Sequence, residues 1–546
     1  MNDHTYDVAI LGAGIAGSAL AVMLARHGVS TLLIDAGTHP RFSIGESTVP
    51  VTTLLWRGMA ERFDVPELNH LAGFEHVREN ISSACGIKKN FGFLYHHRGR
   101  EAAPHEANQL GIPTAQIHEA HLFRQDTDAY LFARAIERGA DAMQATRISS
   151  LSFDDDGVTL QIEGGGNRRA RFVVDGCGPG SPFARQLGLR ERACRFRTKT
   201  RSMFTHMIGV ERIDDCLQGE FGHGVPMAEG TLHHLFDKGW LWVIPFDNVP
   251  DSPNPLVSVG LTLSLDKHPP TDLDPEQEFH QFIEQFPSIA RQFAKARTVR
   301  PWVSTPRLQW SSTRTVAPRY AMLASTAGFI GPLFSQGLGH TVAALNTLAP
   351  RLIAASRDGD WSEQRFEPLE ALHNRWLERN DLLLASAFTA MESYELWDAW
   401  WRVWAVLQIP TEMWMVRAAS EYSRTRDDQA WSNWERAPLE EPFARKIQTM
   451  FERCVAAVDG YASGELSAAE ATRRVRAELR ETDVGPMGAH LIEERFPMAP
   501  GARRRLLLSA ASWALSGKKD PETSRVFGQM VREVGRSVLA RRNPLA

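Results

Sequence analysis

Four groups of residues in this sequence have the types and spacing to do chemistry. Gly12, Gly14 and Gly17 read G-x-G-x-x-G between a short apolar β-type run and a helical pattern, and Asp35 ends a second apolar run eighteen residues after Gly17. Glycines so placed let a backbone approach a pyrophosphate at a helix N-terminus, and an acid at that distance suits adenosine ribose hydroxyls. The order strand, glycines, helix, strand, acid predicts a bound dinucleotide. Lys88 and Lys89 adjoin in an otherwise weakly charged segment, and strand alternation would point them to opposite faces. Trp240, Trp242, Ile244 and Pro245 read W-x-W-x-I-P, in a strand-like segment that the proline limits to an end or edge. The plain alternative is one buried face of a strand. Phe329, Pro332, Ser335 and Gly337 read F-x-x-P-x-x-S-x-G, a constrained turn entering a helical segment. There the amides of Gln336 and Gly337 can form an anion-binding nest.

These segments resemble known families. Arg41, the stretch containing Ser47 and Thr48, and Arg124 ahead of a helical pattern resemble the flavin monooxygenase superfamily, which favours FAD over NAD. The alternative for Arg124 is a surface salt bridge. Where that superfamily usually has a Gly-Asp pair at the flavin, this chain has Ala324, Ser325 and Thr326, so backbone amides and Ser325 or Thr326 are expected to meet the cofactor oxygens. The W-x-W-x-I-P run is similar to the signature of flavin-dependent halogenases, whose indoles keep the organic substrate from the flavin. The F-x-x-P-x-x-S-x-G run is similar to their second signature, which implies flavin contact at Pro332 and Gly337 and halide held by Ser335, Gln336 and Gly337. An essential lysine of that family matches Lys88, followed by the aromatic Phe91 and Phe93; Lys89 is the alternative.

The resemblance covers most of the chain and looks closest to the bacterial phenol halogenases of the phloroglucinol type. Phe334 stands where tryptophan halogenases carry an acid, which argues against indole recognition by that means. What the resemblance implies is FADH2 from a separate flavin reductase, molecular oxygen, and chloride or bromide. A flavin C4a-hydroperoxide would oxidise the halide to hypohalous acid, which is relayed to Lys88 and halogenates an electron-rich, phenolic small molecule. An aromatic hydroxylase of the same fold and a noncatalytic flavin-binding protein are the alternatives.

The elements that must position these groups follow from pattern. Residues 6–34 read as a βαβ opening, and residues 148–175 alternate with period two around Asp/Gly and Gly/Asn turns, which predicts a hairpin inserted in the nucleotide fold. Aromatic β-type segments between about 200 and 310 predict a sheet over a substrate pocket, and helical patterns dominate after Ser335. The fold class expected is α/β: a Rossmann-like FAD-binding fold with a β-sheet substrate region and an α-helical C-terminal part, divided as residues 1–370 and 371–546. Trp397, Trp400, Trp401 and Trp404 recur at helical spacing; core packing is the first reading, with Trp400 and Trp404 as candidates to line the substrate pocket. Adjacent His233 and His234 would face opposite ways in a strand and make a poor metal pair, so no metal is expected.

Composition narrows the class further. A formal charge of −4 from 61 basic and 65 acidic residues gives no long-range field for nucleic acid or an anionic membrane. Five widely spaced cysteines without a CxxC pair suit reduced thiols in the cytoplasm. Residues 8–24 lack the basic start of a signal peptide and are broken by glycines, and the apolar run 506–515 is too short to span a bilayer.

Overall fold

The computed structural model describes residues 4–111, 118–485, 488–493, 508, 511–513, 515 and 520–539; the apolar run 506–515 thus lies largely outside the described residues. The chain packs as two discontinuous units. One draws on residues up to 83, on 122–197 and on 309–381, the other on 84–121, on 198–308 and on the chain from 382.

In the first unit the run Thr5–Leu11 is apolar on both faces, as a central parallel strand must be. It pairs in parallel with Thr31–Ile34 on one side and Asn167–Asp175 on the other. Asp141–Met143 and Tyr320–Met322 extend the sheet at its two sides. Between the first two strands the helix Ile15–Arg26 runs back across the sheet, burying Ala19 to Leu24, and Gly28 at φ +76° turns the chain into the next strand. The expected hairpin is present: Ile148–Asp154 and Gly157–Ile162 pair antiparallel, and the second pairs with Asn167–Asp175. The strand that leaves the hairpin thereby enters the nucleotide-type sheet and ends at Asp175 beside the glycine turn.

The second unit is built on a sheet whose strands run in the order Arg297–Thr298, Thr200–Ile208, Val257–Ser264, Gly239–Pro245, Thr231–Phe236, Asn90–Tyr95, Ala107–Gly111. All neighbours are antiparallel except Thr231–Phe236 and Asn90–Tyr95. One face buries Met203, Leu241, Val243 and Leu261 against Phe279, Phe282 and Phe286. A separate two-stranded ladder joins Gly86–Lys88 to Glu119–His121. From 394 onward the described elements are helices, the longest being Tyr394–Thr425. Its anchor is Asp398, a buried carboxylate that accepts hydrogen bonds from Asn108 Nδ2 at 2.8 Å and Trp401 Nε1 at 3.2 Å and pairs with Arg402 at 2.9 Å and with Arg476. Asn108 lies on the sheet, so this network fixes the helix over it. The five cysteines are free. Among the described residues no helix is long and apolar enough to cross a membrane, and none of the His, Cys, Asp and Glu side chains cluster as a metal site would require.

Candidate active site

The glycine turn of the first unit has three different steric jobs. A Cβ on Gly12, which sits at φ +97°, would lie 2.5 Å from the Gly176 carbonyl, and one on Gly17 would lie 2.0 Å from the Gly12 carbonyl. Both positions are closed by backbone. At Gly14 the nearest atom to such a Cβ is Asp128 Oδ2 at 3.8 Å, so its outer side is open at the N-cap of the helix Ile15–Arg26, where first-turn amides point. Asp35 is buried and accepts 2.7 Å bonds from the amides of Ala13 and Gly37 and from Arg41. Burial pushes its carboxyl up, but the Gly37 and Ala13 amides and Arg41 outweigh it and hold it below the usual range. Arg41 Nε and His39 Nδ1 beside it are buried without hydrogen-bond partners. An open glycine at a helix N-terminus, an ionised acid and two orphaned nitrogens fit a dinucleotide.

Arg124 is buried rather than a surface cation. It pairs with Asp128 at 2.7 and 2.9 Å and donates to the carbonyls of Ile44 and Gly45 at 2.6 and 3.0 Å, so it clamps the loop leading to Ser47 and Thr48. Ser47 in turn accepts a 3.2 Å bond from Ser335 Oγ. Phe334 and Ser335 are consecutive left-handed residues, at φ +67° and +56°, a costly conformation for side chains of this kind. They bring the chain from Pro332 into the helix Gln336–Asp358, whose first turn contains the amides of Gln336 and Gly337. Thr326 Oγ1 is occupied by the Gly178 amide at 2.9 Å, while Ser325 is exposed. Sequence reasoning passed over Asp175, which accepts from the Cys177 amide, Ser181 and Tyr320 at the head of the sheet; an acid followed by glycines after a strand was the signal.

The second unit gathers the remaining residues. Trp240 and Trp242 lie 5.6 Å apart between ring centroids, on one face of a strand that Ile244 continues. Trp242 lies over Gly260, where a Cβ would come within 2.0 Å of the indole, and donates to Ser258 at 3.3 Å; Trp240 Nε1 is buried without a hydrogen-bond partner. His233 stacks between Trp240 at 5.3 Å and Phe93 at 4.7 Å. Phe93 touches Trp397 and Trp401 at 5.5 and 6.2 Å, and Phe91 touches Trp404 at 4.9 Å. Trp400 is not part of this group: it packs on Phe451 and donates to the Leu383 carbonyl. His234 faces the other way, bonded to His96 and Gln292 at 2.8 and 2.7 Å.

Lys88 is sealed from solvent, its Nζ 3.6 Å from the Phe91 ring centroid, whereas Lys89 makes a surface pair with Glu229 at 2.6 Å. Desolvation drives the Lys88 ammonium far below its ordinary pKa, opposed by Glu119, which stands across the ladder. Two buried histidines nearby are neutral, each pushed down to about 3 by burial: His233, also held by the Gly92 carbonyl, and His121 under the added field of Lys88. The ladder is docked on the end of the indole strand. His121 bonds the Pro245 carbonyl at 2.9 Å and Thr231 at 3.0 Å; Asn248 accepts from the Ile87 amide at 2.9 Å and donates to the carbonyls of Ile87 at 2.7 Å and Ala228 at 3.1 Å. A Cβ on Gly86 would lie 2.3 Å from the Pro245 carbonyl. Gly86, His121 and Asn248 therefore dock the ladder that carries Lys88 on the end of the indole strand, and their sequence signal was nil because these contacts join segments more than a hundred residues apart.

A dinucleotide-type glycine turn in one unit and a buried amine lying on Phe91 in the other are the chain's two candidate centres, and comparison with known proteins gives them a family. The family described as FAD binding domain matches residues 5–248. Tetracycline 7-halogenase of Kitasatospora aureofaciens is 39% identical over 97% of this chain and 96% of its own. The monodechloroaminopyrrolnitrin halogenase of Pseudomonas fluorescens is 40% identical over 88% of this chain and 86% of its own. The crystal structure of halogenase PltM with phloroglucinol and FAD superposes with a TM-score of 0.85 at 32% identity, covering 90% of this chain and 99% of that one. The chain belongs to the flavin-dependent halogenases, FAD enzymes that use the reduced cofactor to halogenate aromatic substrates.

Proposed function

We propose that this chain chlorinates or brominates a phenolic ring in the cytoplasm, with FADH2 delivered by a separate flavin reductase. The observation that carries the reading is Lys88, a buried amine lying on Phe91 in an aromatic enclosure shared with His233 and Trp404. Bound as FADH2, the cofactor supplies, with oxygen, the oxidant for the halide. Gly14, Asp35, Arg41, Ser47, Thr48, Arg124, Ser325, Pro332 and Gly337 hold it. The amides of Gln336 and Gly337, aided by the helix dipole and Ser335, hold the halide. Lys88 takes up hypohalous acid by hydrogen bonding or as a haloamine and presents the electrophilic halogen to the ring. Burial lowers the pKa of this amine and Glu119 across the ladder opposes the shift. Trp240, Trp242, Ile244 and Pro245 keep the phenol away from the flavin.

The test is incubation with a flavin reductase, NADH, FAD, oxygen and a panel of phenols, with and without bromide, followed by mass spectrometry. Gain of halogen supports the reading. Gain of oxygen instead would make the chain a hydroxylase, and a Lys88→Ala variant with full halogenation would remove the lysine from its role.

A further inference from the structure

Electrophilic substitution on a phenol is fastest on the phenolate, so a group that takes the hydroxyl proton is needed. The long helix offers one. Trp397, Trp401, Trp404, Gln408 and Glu412 recur at three- and four-residue spacing and share a face. The three tryptophans touch Phe93, and Trp404 also touches Phe91, the ring beneath the Lys88 amine. Glu412 lies two turns beyond Trp404, about 12 Å along the axis. Gln408, Thr411 and Glu412 are half-buried where the preceding turns are sealed, yet Glu412 is enclosed enough for burial to push its carboxyl up to about 8. Among the described residues none hydrogen-bonds or ion-pairs with this carboxyl.

The charged group that acts on it is Glu119, across the ladder from Lys88, and its repulsion adds to the upward shift. Among the charged residues of the other helices packed on this one, Arg476 pairs with Asp398, Arg525 with Glu441, Glu533 with Arg424, and Lys446 with Asp520. An unpartnered interior carboxyl, on the tryptophan face and within the field of the lysine's partner, is placed to meet a substrate.

We propose that Glu412 binds the hydroxyl of the phenolic substrate and takes its proton during halogen transfer, a role that rests on the phenol halogenase reading above. The O–H bond breaks toward the Glu412 carboxylate and its electron pair enters the ring. A ring carbon forms the bond to the halogen of hypohalous acid as the halogen–oxygen bond breaks and hydroxide departs. That hydroxide takes the proton from the halogenated carbon and leaves as water, which restores aromaticity, and Glu412 returns its proton to the phenolic oxygen. The ring carbon is oxidised by two electrons and the halogen reduced by two.

The test uses the full-length, FAD-loaded enzyme with its reductase and compares wild type, Glu412→Gln and Glu412→Asp on a weakly acidic phenol and on a nitrophenol already ionised at assay pH. Wild-type kcat/KM on the weak phenol should rise tenfold per pH unit and level near pH 8. Glu412→Gln should lower it by about 10²-fold or more, and its rising limb should move to the ionisation of the phenol itself. Glu412→Asp should keep part of the rate. On the nitrophenol, which has no hydroxyl proton to give up, Glu412→Gln should lose several-fold less than on the weak phenol, and bound-flavin absorbance and circular dichroism matching wild type show that the variants are folded. Equal loss on both phenols, or an unmoved limb in Glu412→Gln, overturns the proposal. Absence of halogenation of either phenol by wild type overturns the substrate reading, and this role with it.

Discussion

Replacing Lys88 by methionine isolates what the interior amine does. The substitution keeps an unbranched apolar stem of similar length and removes the nitrogen. Lys88 is fully buried and Glu119, its partner across the ladder, is 3% exposed. Two effects oppose each other. Removing a group that is costly to desolvate favours the fold, but the carboxylate of Glu119 loses its counter-charge. Breaking a buried pair by deleting one member costs about 3–5 kcal/mol, whereas replacing both members is often neutral. Lys88→Met should therefore lower the melting temperature of the FAD-loaded enzyme by about 3–4 °C, and Lys88→Met with Glu119→Gln should recover most of it. Both variants should lose halogenation while reductase-driven oxygen consumption continues. The assay is thermal unfolding at one fixed FAD concentration, with product mass spectrometry on the same samples. Lys88→Met melting with the wild type, or the double variant melting below Lys88→Met, would refute the claim that these two charges compensate each other.

Other outcomes follow from the same geometry. Asn248→Ala removes three hydrogen bonds and leaves buried backbone groups of Ile87 unsatisfied, at about 1–3 kcal/mol each; halogenation should fall about 10²-fold through misplacement of Lys88, with FAD affinity by flavin titration unchanged. Gly17→Ala forces a 2.0 Å contact with backbone and should prevent flavin loading, whereas Gly14→Ala meets no such contact and should fold but bind FAD more weakly, as read from the absorbance of bound flavin. Glu412 has a folded pKa of about 8 against a reference of 4.5, so between those values the native state binds more protons and stability falls as pH rises. The shift of about 3.5 units sets a ceiling of about 5 kcal/mol. Glu412→Gln should melt above wild type at pH 8 and with it at pH 4, and the reverse order would contradict the burial of this carboxyl.

The local patterns were legible in the sequence because their causes are local. The glycine turn, Asp35, the inserted hairpin and the alternation of Trp240 with Trp242 each depend on neighbours in the chain. Lys88 was preferred to Lys89 by its match to the family's lysine, and strand alternation placed the two on opposite faces, which their different burial reflects. What stayed hidden was set by distant pairing. Asn248 matters only because the ladder of Lys88 folds onto the end of the indole strand. Glu412 is an ordinary charged helix residue until the helix is laid against Phe91 and Phe93. Trp400 shares the spacing of its neighbours, but a helix face wide enough for four indoles spans two packing surfaces, and it falls on the other one. The surface salt bridge that stood as the alternative for Arg124 could not be set aside from sequence, because the loop carbonyls it holds lie some eighty residues away.

The bare backbone at Gly260 makes the seat of Trp242 a matter of a single absent methyl group. An indole lying on a neighbouring strand needs no pocket of its own, so its position can be firm without one. Alanine there would lift the ring away from its strand without touching the tryptophan itself. An engineer wishing to admit bulkier or misdirected guests could therefore leave the signature intact and alter only the floor beneath it.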